Sequence, residues 1–102
     1  MNVDKGEKVA GIWGTPQIPG IGIYKFAVKE RLDGRFEWVH FQLRLDGTRK
    51  VLLLGEIASK DRLSAVLEVT NSTLLRIYGV IMQVAEFETS ALDGIRFDGP
   101  VQ

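Results

Sequence analysis

His40 is the only histidine in the chain, and there is no cysteine. These two counts bound the available chemistry. Without a thiol there is no disulfide, thiolate nucleophile or zinc ribbon. With one imidazole, a multi-histidine metal site is excluded within a single chain. His40 has the side chain of a general base, but the sequence forces no serine or carboxylate beside it. Glu86, Glu88, Asp93 and Asp98 are too scattered for a calcium loop. "GTPQIPGIG" (14–22) lacks the Lys-Ser/Thr of a phosphate-binding loop, and no GxGxxG occurs. The chain therefore reads as non-enzymatic, with no metal and no cofactor.

A different chemistry surrounds His40. The stretch "FEWVHFQLR" (36–44) alternates. Val39, Phe41 and Leu43 form an ordinary core stripe. Phe36, Trp38, His40, Gln42 and Arg44 form the other, where a solvent face would carry Thr, Lys, Glu and Ser. Asp33-Gly34 predicts a two-residue type I′ hairpin turn. That turn pairs Val28 with Val39, Phe26 with Phe41 and Tyr24 with Leu43 on a core face, and it leaves Glu30 opposite Glu37 near the tip. The second face then pairs Arg31 with Phe36, Lys29 with Trp38, Ala27 with His40 and Lys25 with Gln42, and Arg44 extends it. "DGTRK" (46–50) adds Arg49 and Lys50 beside a turn, a common anion-binding position.

Rings interleaved with cations suit an unpaired nucleic-acid strand. Bases stack on aromatic faces while Lys and Arg follow the phosphates. Two other readings stand beside this one. A helix, the N-terminal strand or a second subunit can bury the rings. Alternatively, cross-strand Lys–Trp and Arg–Phe pairs can stabilise the hairpin with no ligand at all.

The elements that must hold these residues follow from composition and period. At 102 residues, with 45% hydrophobic and 25% charged residues, the chain is one folded domain over 1–102. Residues 1–7 are polar and read as a flexible N-terminus. They show no signal-peptide pattern, and no apolar run is long enough to span a bilayer. A cytoplasmic protein with no membrane association is expected. Net charge is zero, which argues against strong nonspecific nucleic-acid binding, although residues 20–50 hold seven basic and four acidic residues.

Strands are predicted at 8–14, 21–31, 35–45 and 49–58, the last buried on both faces. Residues 59–71 fit helical spacing through Leu63, Val66, Leu67 and Thr70, with Ser59 as the N-cap; strand alternation through Leu63, Ala65, Leu67 and Val69 fits as well, and the helix is the preferred reading. Residues 73–88 are rich in β-branched residues and predict another strand, bent or bulged at Gly79. "GIRF" (94–97) is a candidate last strand. No internal repeat stands out. The fold class is mainly β, at the margin of α+β. It is read as a small five- or six-stranded barrel with one helix between the strands.

That order resembles the OB-fold, a Greek-key barrel with a helix in the middle of the chain. "FQLRLDGTRKVLLLGEI", a helix-like stretch and "STLLRIYGVIMQV" resemble the anticodon-binding barrels of aspartyl- and asparaginyl-type tRNA synthetases, with Asp46-Gly47 and Ser72 to Val80 in the matching places. "KVAGIWGTPQIP" and "EWVHFQL" resemble the opening strand and a later strand of bacterial single-stranded-DNA-binding and primosomal proteins. The first alignment leaves residues 8–14 over, and the second leaves 49–57. In the second, Trp38 falls on a motif position. The resemblance implies a surface for single-stranded DNA or RNA on the second and third strands. The site residues expected on that basis and from the alternation are Lys25, Lys29, Arg31, Phe36, Trp38, His40, Arg44 and Arg49. The alternative is a protein-interaction or homo-oligomerisation module with the same face buried against a partner. Homo-oligomers are expected in either case.

Overall fold

The computed structural model describes residues 8–84. The expectations for residues 1–7, for the end of the 73–88 strand and for 94–97 lie outside them. Four strands follow one another: β1 (Lys8–Gly14), β2 (Ile23–Glu30), β3 (Phe36–Leu43) and β4 (Arg49–Ile57). Helix α1 (Lys60–Tyr78) and the two-residue β5 (Gln83–Val84) complete the order. All strand pairings are antiparallel, in one sheet ordered β4-β3-β2-β1-β5. The fold is thus mainly β with a single helix, placed between strands. Among the described residues the sheet stays open. Its end strands, β4 and β5, do not pair with each other, and no closed barrel is seen.

The β2–β3 turn corrects the expected register. Only Gly34 adopts positive φ, at 84°, and Asp33 does not, so a type I′ turn is ruled out. The amide of Gly34 donates to the Arg31 carbonyl at 3.0 Å, and the amide of Arg31 to the Arg35 carbonyl at 2.8 Å. This is a three-residue loop, Leu32-Asp33-Gly34, with a left-handed glycine in the bulge position. The Asp33 carboxylate accepts from the Arg35 amide at 3.0 Å and holds the loop. The β3–β4 turn repeats it. There Gly47 has φ 85°, the Arg44 amide donates to the Thr48 carbonyl, and Asp46 accepts from the Thr48 amide at 2.9 Å. The two loops share one tetrapeptide, Arg-Leu-Asp-Gly, at 31–34 and 44–47. This is a short repeat that the sequence reading overlooked.

The extra loop residue slips the register by one and so exchanges faces. Phe26 lies opposite His40, Val28 opposite Trp38, Tyr24 opposite Gln42 and Lys29 opposite Glu37. The expected Phe26–Phe41 and Val28–Val39 pairs do not form.

Helix α1 forms where helical spacing predicted it, but it continues to Tyr78. The strand expected from residue 73 is therefore helical through its first turns. Leu63, Val66, Leu67, Leu74 and Tyr78 keep one apolar stripe in phase, and packing that stripe outweighs the modest helix penalty of β-branched residues. The Ser59 hydroxyl accepts from the Arg62 amide at the start. Gly79 is not a bulge but the left-handed C-cap, its amide donating to the Leu75 carbonyl at 2.9 Å.

The sheet carries apolar residues on both faces. Beneath α1, Phe26, Val28, Phe36, Leu74 and Met82 are buried, with Trp13, Trp38, Ile57 and Leu63 packed around them. On the opposite face Ile12, Ala27, Val39 and Phe41 form a second cluster with Val51 and Leu54. Strand β4 is not buried on both sides as expected. It is a half-exposed edge strand.

Candidate interaction surfaces

The register decides where the eight expected site residues fall. Phe36, Trp38 and His40 lie on the face covered by α1, with Phe36 and His40 only 5% and 7% exposed. Trp38 stacks on Phe26 with ring centres 5.4 Å apart and planes 14° from parallel. Trp13 meets the other side of Phe26 edge-on at 6.0 Å. The indole of Trp38 also lies over Gly55, where an added Cβ would come within 2.9 Å of it. The rings form an aromatic row across three strands, and it is part of the core.

His40 is fixed by a 3.0 Å bond from Nδ1 to the Lys25 carbonyl. A carbonyl only accepts, so Nδ1 carries the proton. Burial lowers the pKa below the ordinary 6.5, and the backbone bond offsets part of that shift. The imidazole is therefore neutral at neutral pH. Tyr24 packs against it at 5.8 Å and shares a 2.9 Å hydroxyl–hydroxyl bond with Tyr78 of the helix. Burial, then this hydrogen bond, pushes the Tyr24 phenol up to about 12. No carboxylate or serine bonds to His40 in a catalytic arrangement among the described residues, and none of their His, Asp or Glu side chains cluster in a way that could hold a metal ion.

Lys25, Lys29 and Arg31 project from the opposite face, so rings and cations do not alternate on one surface. Lys29 is buried and sits 3.3 Å from Glu37. Arg31 reaches Glu37 at 3.1 Å, Glu56 at 2.9 Å and Asp33 at 3.5 Å, and Arg35 pairs with Glu56 as well. The charge of these cations is met by carboxylates of the same chain. Burial lowers the pKa of Lys25. Arg44 and Arg49 are exposed at the second turn, the end of β3 remote from Arg31.

Other residues stand out instead. Leu53, Val69, Leu75, Ile77, Ile81 and Val84 are large, apolar and exposed, from 42% for Ile81 to 76% for Val84. An open groove of about 370 Å³ runs along one flank of α1, lined by Leu67, Glu68, Asn71, Ser72, Leu75 and Ile81. Asn71 holds its far wall by accepting from the Met82 amide at 2.9 Å. The signal was present in the sequence. Val69, Leu75 and Ile77 fall off the Leu63–Leu67–Leu74–Tyr78 stripe, so one packed face of a helix cannot bury them all.

No family model matches the chain, and no match arises among curated proteins or solved structures. Among the described residues no helix is long and apolar enough to cross a membrane.

Proposed function

We propose that this chain is a non-catalytic protein-interaction module that self-associates. One observation carries the reading: large apolar side chains stay exposed along α1 and the segment after it (Val69, Leu75, Ile77, Ile81 and Val84), on β4 (Leu53) and in the two hairpin loops (Leu32 and Leu45). Patches of this kind mark interaction sites in soluble domains. Three further points support it. The rings expected to stack on bases are packed between sheet and helix. Lys29 and Arg31, expected to meet phosphates, are paired with Glu37, Glu56 and Asp33. Net charge is zero, whereas a nucleic-acid surface draws its affinity from excess cations. A closed barrel is no part of this reading, because the sheet stays open among the described residues.

The test is sedimentation velocity from low to high micromolar concentration, beside a fluorescence titration of Trp13 and Trp38 with a short pyrimidine oligonucleotide at low salt. Concentration-dependent association with no change in emission is expected. A strict monomer that binds the oligonucleotide, and releases it steeply as salt rises, would overturn the reading.

A further inference from the structure

We infer that a second copy of this chain docks on the outer face of α1, helix against helix and antiparallel, about a two-fold axis at Ser72. This rests on the self-association reading and names its surface and its partner. Leu74 is buried in the layer between helix and sheet. Two residues turn a helix by roughly 200°, so Ser72 points away from the sheet. Glu68 and Arg76, one turn to either side, share its face. All three are exposed. Shallow grooves flank this line. One is the groove toward Leu75 and Ile81. The other, of about 510 Å³, holds Ala65, Val69 and Thr73. Glu68 and Ser72 border both. A ridge between two grooves is the relief into which another helix packs. Val69 on one flank and Leu75 on the other, 67% and 56% exposed, supply the apolar surface.

Charge selects the occupant and its direction. Glu68 and Arg76 take no part in the ion pairs of the described residues. They stand roughly 12 Å apart along the helix, too far to pair with each other. Each is four residues from Ser72, in opposite directions. An antiparallel copy turned about Ser72 therefore brings Glu68 of each chain level with Arg76 of the other, twice in one interface. It also brings Val69 of each level with Leu75 of the other. A parallel copy would set Glu68 beside Glu68 and Arg76 beside Arg76. The face thus complements itself in one direction only. A two-fold contact uses the same patch on both copies and closes at the dimer.

The chain has no cysteine, so Ser72→Cys introduces a single thiol. Under mild oxidation the Ser72→Cys protein should cross-link to a dimer, because two packed helices bring these Cα atoms within the roughly 7 Å a disulfide spans. Leu53→Cys, at an exposed site on β4, should not. Glu68→Arg and Arg76→Glu both replace exposed side chains, and circular dichroism should show both folded. Each alone should weaken self-association by roughly tenfold or more, because both charge pairs become like-charged. Mixing the two variants, or combining both changes in one chain, should restore it. A wild-type dimer whose Ser72→Cys variant does not cross-link, or whose Glu68→Arg and Arg76→Glu variants associate unchanged, overturns the α1 assignment and leaves self-association to another surface. A wild type that stays monomeric overturns both.

Discussion

At the scale of single residues, burial sets the proton chemistry. The folded chain holds His40 neutral because the imidazolium would lose its water. Below 6.5 the unfolded chain takes up a proton here before the folded chain does. The stability from this residue is thus full above pH 6.5 and falls as the pH drops through the window beneath it. The denaturation midpoint should therefore decline more steeply from about pH 7 to about pH 5 in the wild type than in His40→Gln, which has no such proton to take up. Equal slopes would remove His40 as the cause. Tyr24 works in the opposite sense. Its pKa is raised from 10 to about 12, so its contribution is present below 10 and is lost as the pH climbs toward 12. An absorbance titration should show Tyr24 deprotonating late. Tyr78→Phe should bring Tyr24 earlier yet leave it above 10, because burial is the larger cause and the hydrogen bond the smaller. A Tyr24 titration indifferent to Tyr78→Phe would contradict the hydroxyl pair.

At the scale of elements, the two Arg-Leu-Asp-Gly loops set the register of the whole meander. Gly34 and Gly47 both hold positive φ, and an added Cβ at either meets nothing within 4 Å. Only the backbone conformation is at stake. Gly34→Ala and Gly47→Ala should each cost about 1–2 kcal/mol in urea denaturation, and Asn at either position should cost less, because Asn tolerates the left-handed region. Costs that differ widely between the two loops would deny that they are one motif. These loops also show what was legible in the sequence. The positions of the four leading strands and of the helix start came from alternation and from Ser59. The register did not, because "DG" reads first as a two-residue turn and the residue before it shows no mark of loop membership. One clue was available. The two-residue register set Glu30 against Glu37, whereas the observed one sets Lys29 against Glu37 at 3.3 Å. That one-residue slip is why the expected face of alternating rings and cations does not form, since it moves β2's cations away from β3's rings. The helix end was hidden for a different reason. Residues 73–78 are locally β-prone, and only the continuing Leu67–Leu74–Tyr78 phase overrides them.

At the scale of the whole molecule, one sheet serves two apolar layers, and a stability comparison can tell a core from a platform. Trp38 lies in the layer under α1, stacked on Phe26 and resting on Gly55. Phe41 lies in the opposite layer, buried beside Ala27 and Val39. If both faces are core, both large-to-small changes leave cavities. Phe41→Ala should destabilise by about 3–5 kcal/mol, and Trp38→Ala by about the same. A ring held out as a stacking platform would behave differently. Its removal would cost little stability and would weaken oligonucleotide binding by roughly 1–3 kcal/mol. Gly55→Ala provides an independent check, because it perturbs Trp38 without removing it. Its Cβ would press on the indole at 2.9 Å, and overpacking of this kind costs about 1–3 kcal/mol. An exposed indole would swing aside at no cost. Chemical denaturation of the three variants should therefore show Trp38→Ala close to Phe41→Ala and Gly55→Ala clearly below wild type. A Trp38→Ala protein as stable as wild type, beside a harmless Gly55→Ala, would put the indole back on the surface and return the aromatic face to a ligand.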